Sequence, residues 1–375
     1  MKVALVHDWL VGMRGGEKCL DLMCELLPDA DIYTLVHARG SVCARIESRT
    51  IHTSFLQKLP FSVRAYPYYL PLLPWAIEQF DLRGYDAIVS VSHCVAKGVV
   101  PPPDSWHGCW CLTPMRYIWD AYGAYFDRGS RAVRTAGRVV APWLRMWDVA
   151  SSSRVDSFAA ISQHVRSRIG RYYHREACVI YPPVDDVFFD AQLPEGPGDY
   201  FLSVGAAAPN KRLDLTIDAF RRLRLPLVVV GAGPGAERLR RHAPPNVSFF
   251  GWSTPSELIA LYQRARALVF PGYDDFGLTP LEAAAVGRPT IAFRGGGALE
   301  TVVAVNGDGS GTGVLFGEQT AEGLVGGVEE FLRRESDFDA RRLRAHAAPF
   351  ARRETRGALA QFLRQGIPSS AVAPC

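Results

Sequence analysis

Short apolar runs alternate with stretches of helical periodicity along almost the whole chain. The first run covers residues 2–6 and is followed by a glycine-containing loop and then by apolar residues at helical spacing: Cys19, Leu20, Leu22, Met23, Leu26 and Leu27. A strand, a glycine loop and a helix in this order are typical of α/β proteins. The beginning of the chain therefore predicts one strand–loop–helix unit.

The same alternation continues through both halves. Further strands are predicted at residues 31–36, 87–91, 110–112, 157–161 and 177–181, and then at 200–205, 225–230, 247–250, 267–270 and 290–293. A helix is predicted at about residues 213–223, and residues 321 to about 363 have a helical pattern. This order predicts two doubly wound parallel sheets, each binding ligands at the carboxyl ends of its strands.

A break in the middle of the chain predicts the boundary between two domains. Pro182-Pro183-Val184-Asp185 interrupts the alternation, and residues 192–198 are rich in Pro and Gly. Such a stretch is typical of an interdomain linker. We expect an N-terminal domain at residues 1–185 and a second domain at 186–350.

Composition narrows the class of protein. The 375 residues are 48% hydrophobic and 21% charged, which is normal for a globular chain of two domains, and the net charge of +4 is too small to indicate nucleic-acid binding. Eight scattered cysteines include no CxxC pair, so we expect free thiols, a reducing cytoplasm and no structural zinc. No signal peptide and no apolar run of transmembrane length is recognised.

The segment from Asp274 to Pro289 carries the most specific chemistry. It follows an apolar run and contains Gly277, which permits close backbone approach, and Pro280, which suits a first helical turn. A helix that begins after such a loop directs backbone N–H groups at an anion. Asp274 and Glu282 flank this helix start, an arrangement that suits phosphates with hydroxyls on both sides, as in a nucleotide sugar.

This segment resembles the acidic-x7-Glu motif of the retaining family 4 glycosyltransferases, which have the GT-B fold of two Rossmann-like domains facing a central cleft. Glu282 matches, and Asp274 stands where the family usually has Glu. The resemblance implies that Asp274 binds the donor sugar, that Glu282 binds the nucleotide ribose, and that residues 351–375 form a helix and tail crossing back to the first domain. The donor-binding residues expected in this segment are Asp274, Phe276, Gly277, Leu278, Thr279 and Glu282.

The loop from Gly205 to Arg212 resembles a donor loop of the same family. Lys211 matches the family lysine, whereas Ala206 stands where the family has Arg. The resemblance implies that Lys211 neutralises the departing diphosphate, with Arg212 or Arg14 as candidates for the second cation. A solvated surface lysine is the alternative interpretation.

Gly15 and Gly16 follow the first predicted strand, where the family has a glycine loop that faces the donor phosphates and the acceptor. A plain tight turn would also explain them. His93 follows another predicted strand and resembles the family's cleft histidine, which hydrogen-bonds the donor sugar; a histidine of the core is the alternative. The expected catalytic residues are His93, Asp274 and Lys211.

Residues 112–120 resemble a His-Thr-Pro-Met-Arg-Tyr segment of close bacterial relatives, with Leu112 in place of the His. Arg14, Arg116 and Asp120 are the polar candidates for the acceptor side. A structural ion pair or turn explains Arg116 and Asp120 equally well.

Gly231, Gly233 and Ala236 fit the G-x-G-x-x-G/A pattern of dinucleotide-binding proteins. The pattern lies in the middle of a domain, and no acidic residue ends the next predicted strand, so we interpret it as a structural turn. Residues 249–252 are expected to border the base pocket, and Gly295-Gly296-Gly297 to lie near the donor phosphates.

The resemblance covers about residues 1–360 and implies transfer of a hexose, with retention and without a metal, from a nucleotide diphosphate sugar. GDP-mannose is the expected donor, and a saccharide or polyprenyl-diphosphate-linked saccharide of a surface polysaccharide is the expected acceptor. A non-catalytic GT-B protein with a degenerate donor site and, more remotely, a GT-B sugar-nucleotide epimerase or an NAD enzyme remain alternatives.

Two stretches of the first half indicate a surface for anionic membranes. Residues 59–80 are rich in Tyr, Trp and Leu, and arginines recur between Arg128 and Arg154 with few acids. Core packing and a solvated helix face explain them equally well. The expected location is the cytoplasm, with peripheral attachment to the inner face of the membrane.

Overall fold

The computed structural model divides the chain into unit 1, Met1–Pro182 with Arg353–Cys375, and unit 2, Pro183–Arg352. The structure describes residues 1–127, 130–206, 208–231, 233, 235–251, 253–306 and 310–373. Arg128 of the arginine-rich stretch, Trp252 of the expected base pocket and Cys375, one of the eight cysteines, lie outside the described residues.

Unit 1 is built on one parallel sheet. Its strands are β1 (Val3–His7), β2 (Asp31–Thr34), β3 (Ile51–Thr53), β4 (Ala87–Ser92), β5 (Trp106–Cys111), β6 (Ser157–Ala160) and β7 (Cys178–Val179). The helices between them are α1 (Gly15–Leu26), α2 (Ala44–Glu47), α3 (Ser62–Ala65), α4 (Leu73–Glu78), α5 (Arg131–Ser152) and α6 (Gln163–Tyr173).

The strand order in this sheet is β3-β2-β1-β4-β5-β6-β7. Every residue of β1 and β4 is buried, as expected for central strands of a parallel sheet covered on both faces. The chain runs outward from β1 to β3 and then crosses to β4 on the other side of β1. Ligands of doubly wound sheets bind where the strand order reverses, which in unit 1 is at the carboxyl ends of β1 and β4.

Unit 2 repeats this plan. Its strands are β8 (Tyr200–Val204), β9 (Leu227–Val230), β10 (Val247–Gly251), β11 (Ala265–Phe270), β12 (Thr290–Phe293) and β13 (Gly313–Phe316). Its helices are α7 (Leu213–Leu223), α8 (Ala236–Arg241), α9 (Pro255–Arg264), α10 (Leu278–Ala285), α11 (Ala298–Thr301), α12 (Ala321–Arg333) and α13 (Ala340–Ala347), and the chain ends with α14 (Arg352–Leu363), which lies almost wholly in unit 1.

The parallel strand order of unit 2 is β10-β9-β8-β11-β12-β13, so its reversal lies between β8 and β11. The core of unit 2 forms on helix faces that pack against this sheet, with Phe201, Phe220 and Phe331 fully buried. Ring contacts of 5.3 Å and 5.8 Å between centroids join Phe201 to Phe220 and to Phe331. The predicted pair of doubly wound α/β sheets is confirmed.

The structure adds strands that the apolar pattern did not indicate. β3 lies at the edge of its sheet with His52 and Thr53 exposed, so it carries no apolar run. β5 begins at Trp106, earlier than the predicted 110–112, because His107 is buried through hydrogen bonds rather than through apolar character. β13 is a four-residue strand. Short or polar strands of this kind escape a search for apolar runs.

The longest helix, α5, has 22 residues and lies in unit 1. None of the helices in the described parts of the chain is long and apolar enough to cross a lipid bilayer.

Candidate functional site

Unit 2 places the expected donor segment directly after β11, at the reversal of strand order. Gly277 ends the loop and precedes α10, with a φ of 99°. Residues other than Gly rarely adopt this conformation, and a Cβ on Gly277 would lie only 3.2 Å from Thr301 Oγ1. Gly277 has no side chain to cap α10, so the first backbone N–H groups of this helix keep no N-cap partner there.

Lys211 and Asp274 form an ion pair at this loop. The Lys211 Nζ lies 2.5 Å from Asp274 Oδ2, and the two side chains are 27% and 17% exposed. Asn210 Nδ2 donates to Asp274 Oδ1 at 3.4 Å. Two of the expected catalytic residues, which follow different strands, therefore meet at the carboxyl end of the sheet.

Backbone hydrogen bonds fix the surrounding loops to one another. The Tyr273 N–H donates to the Asn210 carbonyl at 3.1 Å, and the Gly297 N–H donates to the Asp274 carbonyl at 2.8 Å. Three loops thus form one assembly: the loop that carries Lys211 (the lysine loop), the loop that carries Asp274 (the acidic loop) and the loop Gly295-Gly296-Gly297 (the triple-glycine loop). Its geometry depends on main-chain contacts rather than on long side chains.

Glu282 lies in the second turn of α10 and is buried, with 6% of its surface exposed. The Tyr262 hydroxyl donates to Glu282 Oε2 at 3.2 Å. Burial and the charge of Glu282 raise the pKa of Tyr262 well above its usual value, so the hydroxyl keeps its proton for this bond. Tyr262, on α9, therefore orients the expected ribose-binding carboxylate.

The other donor-binding residues expected in α10 and its loop differ in burial. Phe276 is buried and contacts the Phe350 ring at 5.8 Å, so only its backbone is available to a ligand. Leu278 and Thr279 are half-buried. Thr279 Oγ1 is buried and has no hydrogen-bond partner among the described residues, which marks a polar atom at the helix start that a ligand could satisfy.

Arg212, one candidate for the second cation, contacts neighbouring side chains of unit 2. Its Nε lies 3.2 Å from Asp214 Oδ1, and its Nη1 donates to Gln319 Oε1 at 3.3 Å. The residue also adopts a φ of 51° where it begins α7. In this arrangement, Lys211 is the cation that the lysine loop presents to Asp274.

The Gly231 turn, which fits the dinucleotide pattern, packs against the lysine loop. A Cβ on Gly231 would overlap the Gly205 carbonyl, so the glycine allows two backbones to touch. The Gly231 N–H donates to the Gly251 carbonyl at 2.8 Å. This contact gives the turn a structural role that needs no dinucleotide.

Unit 1 places His93 at its own reversal point, after β4, where it faces Asp8 from the end of β1. His93 Nδ1 lies 3.1 Å from Asp8 Oδ2, and the imidazole is 20% exposed. The ring packs edge-on against Trp9 at 4.5 Å. Burial lowers the pKa of His93, although the Asp8 charge opposes this.

The two glycines of the first loop begin α1 instead of forming a separate turn. A Cβ on Gly16 would lie 3.3 Å from Leu112 Cδ1 and 3.4 Å from His7 Cε1, so the helix start packs closely on both. Gly15 is exposed in the same turn. Glu17 is buried behind them and accepts from the Arg14 N–H at 3.0 Å, and burial raises its pKa.

The candidates for the acceptor side do not form one group. The charges of Arg116 and Arg14 both lower the pKa of His93, so both act on the histidine at the strand ends. Asp120 instead pairs with Arg168, which also donates to Thr113 Oγ1 at 2.9 Å. Asp120 therefore lies in an ion pair, and its role toward an acceptor stays a prediction.

Sequence reasoning missed Asp8 and Tyr262, which hold His93 and Glu282. Asp8 could have been found, because a carboxylate directly after the first strand of a doubly wound sheet lies at the ligand edge. Tyr262 carries no such signal, since its contact with Glu282 depends on how α9 packs. Within the described residues, no group of three or more His, Cys, Asp or Glu side chains could hold a metal ion.

Comparison with known proteins gives matches in both sequence and structure. Residues 185–352 match the family model described as Glycosyl transferases group 1. O-antigen chain mannosyltransferase C of Escherichia coli is 40% identical over 101 residues, which are 25% of this chain and 27% of that protein. D-rhamnosyltransferase WbpZ of Pseudomonas aeruginosa is 36% identical over 100 residues, 25% of this chain and 26% of its own. The chain thus matches about a quarter of the length of these relatives.

The fold has solved counterparts over nearly the full chain. The crystal structure of Anabaena Alr3699/HepE in complex with UDP superposes with a TM-score of 0.68 at 15% identity, covering 97% of this chain and 100% of that one. At 15% sequence identity, the superposition shows a common fold and nothing about function. The chain therefore has the GT-B fold of two parallel-sheet α/β domains, and residues 185–352 of its second half match the family model of glycosyl transferases group 1.

Proposed function

We propose that the protein is a retaining glycosyltransferase that moves a hexose from a nucleotide diphosphate sugar to an acceptor hydroxyl. The observation that carries this proposal is the assembly at the end of β11, where Lys211 and Asp274 meet beside the start of α10 and Glu282 is held by Tyr262. This arrangement offers a cation and a helix start for phosphates, and carboxylates for hydroxyls.

The chemistry requires the bond between the anomeric carbon and the diphosphate oxygen to break. The diphosphate leaves with the bonding electrons, and its negative charge grows in the transition state. Lys211 and the N–H groups of the first turn of α10 stabilise that charge. The acceptor oxygen bonds to the anomeric carbon on the same face, and its proton passes to the departing phosphate, so the reaction needs no metal and no covalent enzyme intermediate.

The ion pair between Lys211 and Asp274 has a direct role in this scheme. With no ligand bound, each charge compensates the other in a half-buried place. A bound donor brings diphosphate oxygens for Lys211 and hydroxyl donors for Asp274, so both side chains exchange one polar partner for another. Removing only one of the pair leaves the other charge without its partner, which is costly in such surroundings.

The relatives support a hexose donor and a surface saccharide as acceptor. One matched relative is a mannosyltransferase of an O-antigen chain and another a D-rhamnosyltransferase. We take GDP-mannose as the donor and a saccharide, free or linked to a polyprenyl diphosphate, as the acceptor. The enzyme would act in surface polysaccharide synthesis in the cytoplasm, on the inner face of the membrane.

A surface of unit 1 supports membrane attachment. Tyr68, Phe61 and Trp75 are 86%, 81% and 58% exposed in residues 61–75. Core packing explains Tyr66 and Tyr69, which pack against the unit 1 core, but not these three side chains. On α5, Val139 and Met146 are also exposed. Exposed aromatic side chains, on a unit that also carries a helix with several arginines, suit the interface of an anionic bilayer.

The test is a donor panel in excess EDTA. Purified protein is mixed with GDP-mannose, UDP-glucose and dTDP-sugars, and binding, slow hydrolysis and transfer to saccharide acceptors are followed. We expect one donor to bind and turn over without a metal, with the anomeric configuration retained. Binding without turnover on any acceptor would favour a non-catalytic GT-B protein, and a strict requirement for Mg²⁺ or Mn²⁺ would overturn the mechanism.

A further inference from the structure

We propose that Asp8 is the positioning residue of His93: it holds the imidazole as the Nδ1–H tautomer, so that Nε2 faces a ligand as a hydrogen-bond acceptor. The proposal rests on the proposed function only for the identity of that ligand, a sugar that supplies a hydroxyl. The tautomer itself is a property of the free protein.

The Asp8 carboxylate organises the turn that carries His93. Asp8 is fully buried, and its two oxygens accept from four consecutive backbone N–H groups, at 2.7 Å from His93, 3.0 Å from Cys94, 2.6 Å from Val95 and 2.8 Å from Ala96. These bonds connect the end of β1 to the residues after β4. A carboxylate with this set of donors fixes the backbone on which the imidazole stands.

The same carboxylate selects the tautomer of the ring. His93 Nδ1 is buried and lies 3.1 Å from Asp8 Oδ2, in a geometry that makes no hydrogen bond, so the contact between the two groups is electrostatic. A carboxylate only accepts hydrogen bonds, so an Nδ1 lone pair at this distance would be repelled and an Nδ1–H group is attracted. In a neutral imidazole with a proton on Nδ1, the opposite nitrogen, Nε2, must be the acceptor.

The other charged neighbours of His93 favour the neutral ring. Burial lowers its pKa first, and the charges of Arg116 and Arg14 lower it further, while Asp8 alone raises it. The nearby ring of His7, at 5.4 Å, has its own pKa lowered by burial. Glu17, on α1, and Asp8 both raise the pKa of His7 against this effect of burial. A neutral ring is the state in which the choice of tautomer matters.

The first test measures the wild-type protein without a ligand. Protein labelled with ¹⁵N at its histidines is recorded by two-bond ¹H–¹⁵N NMR at pH 7.5, and the His93 signals are identified by their loss in His93→Gln. We expect the cross-peak pattern of the Nδ1–H tautomer. An Nε2–H pattern or a protonated ring would overturn the proposal, whether or not the protein transfers sugars.

The second test separates positioning from fold stability. Asp8→Asn keeps the size of the side chain but replaces one acceptor with a donor, so we expect the His93 signals to shift toward the Nε2–H tautomer and transfer to fall at least tenfold. Asp8→Asn added to His93→Ala should reduce transfer little further, because the side chain through which Asp8 acts is already gone. Thermal unfolding of all variants reports the separate effect on the turn.

The outcomes distinguish the possible failures. An equal loss of transfer in both backgrounds, with the tautomer unchanged, would give Asp8 a purely structural role and refute the proposal. If Asp8→Asn does not fold, the wild-type spectrum still decides. If no nucleotide sugar binds and yet the Nδ1–H pattern is found, the proposed function fails and the assignment of Asp8 stands.

Discussion

At the level of single residues, the proposed donor site contains two carboxylates, Asp274 and Glu282, that have polar partners with no ligand bound. Asp274 is held by Lys211 and Asn210, and Glu282 by Tyr262. Preorganised groups lose little freedom when a ligand binds, which strengthens both recognition and catalysis. The residues that hold each carboxylate are therefore expected to matter for ligand binding as well as the carboxylate itself.

Glu282→Ala should nearly abolish donor binding while the protein remains folded. Hydrogen bonds to a charged group contribute about 1.5–3 kcal/mol each, so we expect affinity to fall by about 10²-fold. Calorimetric titration with the donor found in the panel measures this directly. Unchanged affinity would show that Glu282 does not contact the nucleotide.

Tyr262→Phe is the matched variant for this residue. It removes only the hydroxyl that donates to Glu282 at 3.2 Å and leaves the buried ring. The variant loses the bond that orients the carboxylate but keeps the carboxylate itself, so donor affinity should fall less than in Glu282→Ala, by up to about tenfold. If donor affinity falls as far in Tyr262→Phe as in Glu282→Ala, the ring of residue 262, or α9 as a whole, has been displaced.

The resemblance to motifs of the family 4 glycosyltransferases predicted Lys211, Asp274 and Glu282 as donor-binding residues. It did not predict that Lys211 and Asp274 would pair, since the residues are far apart in the chain and their distance depends on loop packing. Asp120 was left between two interpretations, because only the structure shows Arg168 beside it. The roles of these residues toward a donor remain predictions.

At the level of elements, α10 begins where a glycine permits a backbone conformation that other residues avoid. Gly277→Ala should destabilise the protein by about 1–2 kcal/mol, because its φ of 99° is unfavourable for Ala and the new Cβ would crowd Thr301. Gly326→Ala in α12 is the control: nothing lies within 4 Å of a Cβ there, so a gain of about 0.5–1 kcal/mol is expected. Urea unfolding of both variants measures this. If the midpoints of Gly277→Ala and Gly326→Ala shift in the same direction from the wild type, this account is contradicted.

His107, which lies on β5 and is hydrogen-bonded to Ser90 on β4, makes the free energy of unfolding depend on pH. The ring is fully buried and bonded to Ser90 Oγ at 2.9 Å and to the Arg154 carbonyl at 2.9 Å, and burial lowers the pKa of His107 to about 4. The unfolded chain has the ordinary histidine pKa of about 6.5, so it binds the proton more readily. The stability that neutral His107 contributes is complete above pH 6.5 and is lost as the pH falls toward 4.

Between pH 7 and pH 5, this group should remove about 2 kcal/mol from the free energy of unfolding. His107→Asn, whose amide can still donate to the Arg154 carbonyl, should be less stable at pH 7 but should lose less stability over the same interval. Denaturant unfolding at several pH values measures both. Equal pH dependence of the two proteins would show that His107 is not the group that titrates.

Elements were predicted best where the apolar pattern was strong. The helix Leu213–Leu223 and the strand Thr290–Phe293 have the expected bounds. The edge strand Ile51–Thr53 and the polar beginning of β5 were not recognised, because hydrogen bonding and sheet position, rather than apolar periodicity, hold them.

At the level of the whole molecule, two sheets of the same design each reverse their strand order once, and the candidate residues follow the strands at those reversals. His93 lies there in unit 1, and Lys211 and Asp274 in unit 2. Such edges are where α/β proteins bind ligands. This agreement between topology and chemistry is stronger support for a site than any single motif.

Unit 1 should bind anionic liposomes reversibly. The exposed aromatic side chains of residues 61–75 give apolar contact, and each nearby arginine adds about 1 kcal/mol that salt screens. The protein should therefore sediment with anionic vesicles, release as salt rises, and sediment less with neutral vesicles. Equal sedimentation with both vesicles would refute the electrostatic part.

A double variant, Phe61→Ser with Tyr68→Ser, tests the apolar part of this prediction. These side chains are 81% and 86% exposed, so the fold should not depend on them. Phe250→Ser, at a residue of unit 2 that is 46% exposed, is the control and should leave sedimentation unchanged. If the double variant still sediments like the wild type, residues 61–75 are not the contact.

The central claim is that unit 2 binds a nucleotide diphosphate sugar through Lys211 and without a metal. Calorimetric titration of the wild type and of Lys211→Met with GDP-mannose and UDP-glucose, in excess EDTA, tests it most directly. We predict that the wild type binds at least one of them and that Lys211→Met, which keeps a similar length without the charge, binds it at least tenfold more weakly. Absence of binding to either donor, or equal binding by the two proteins, would contradict the claim.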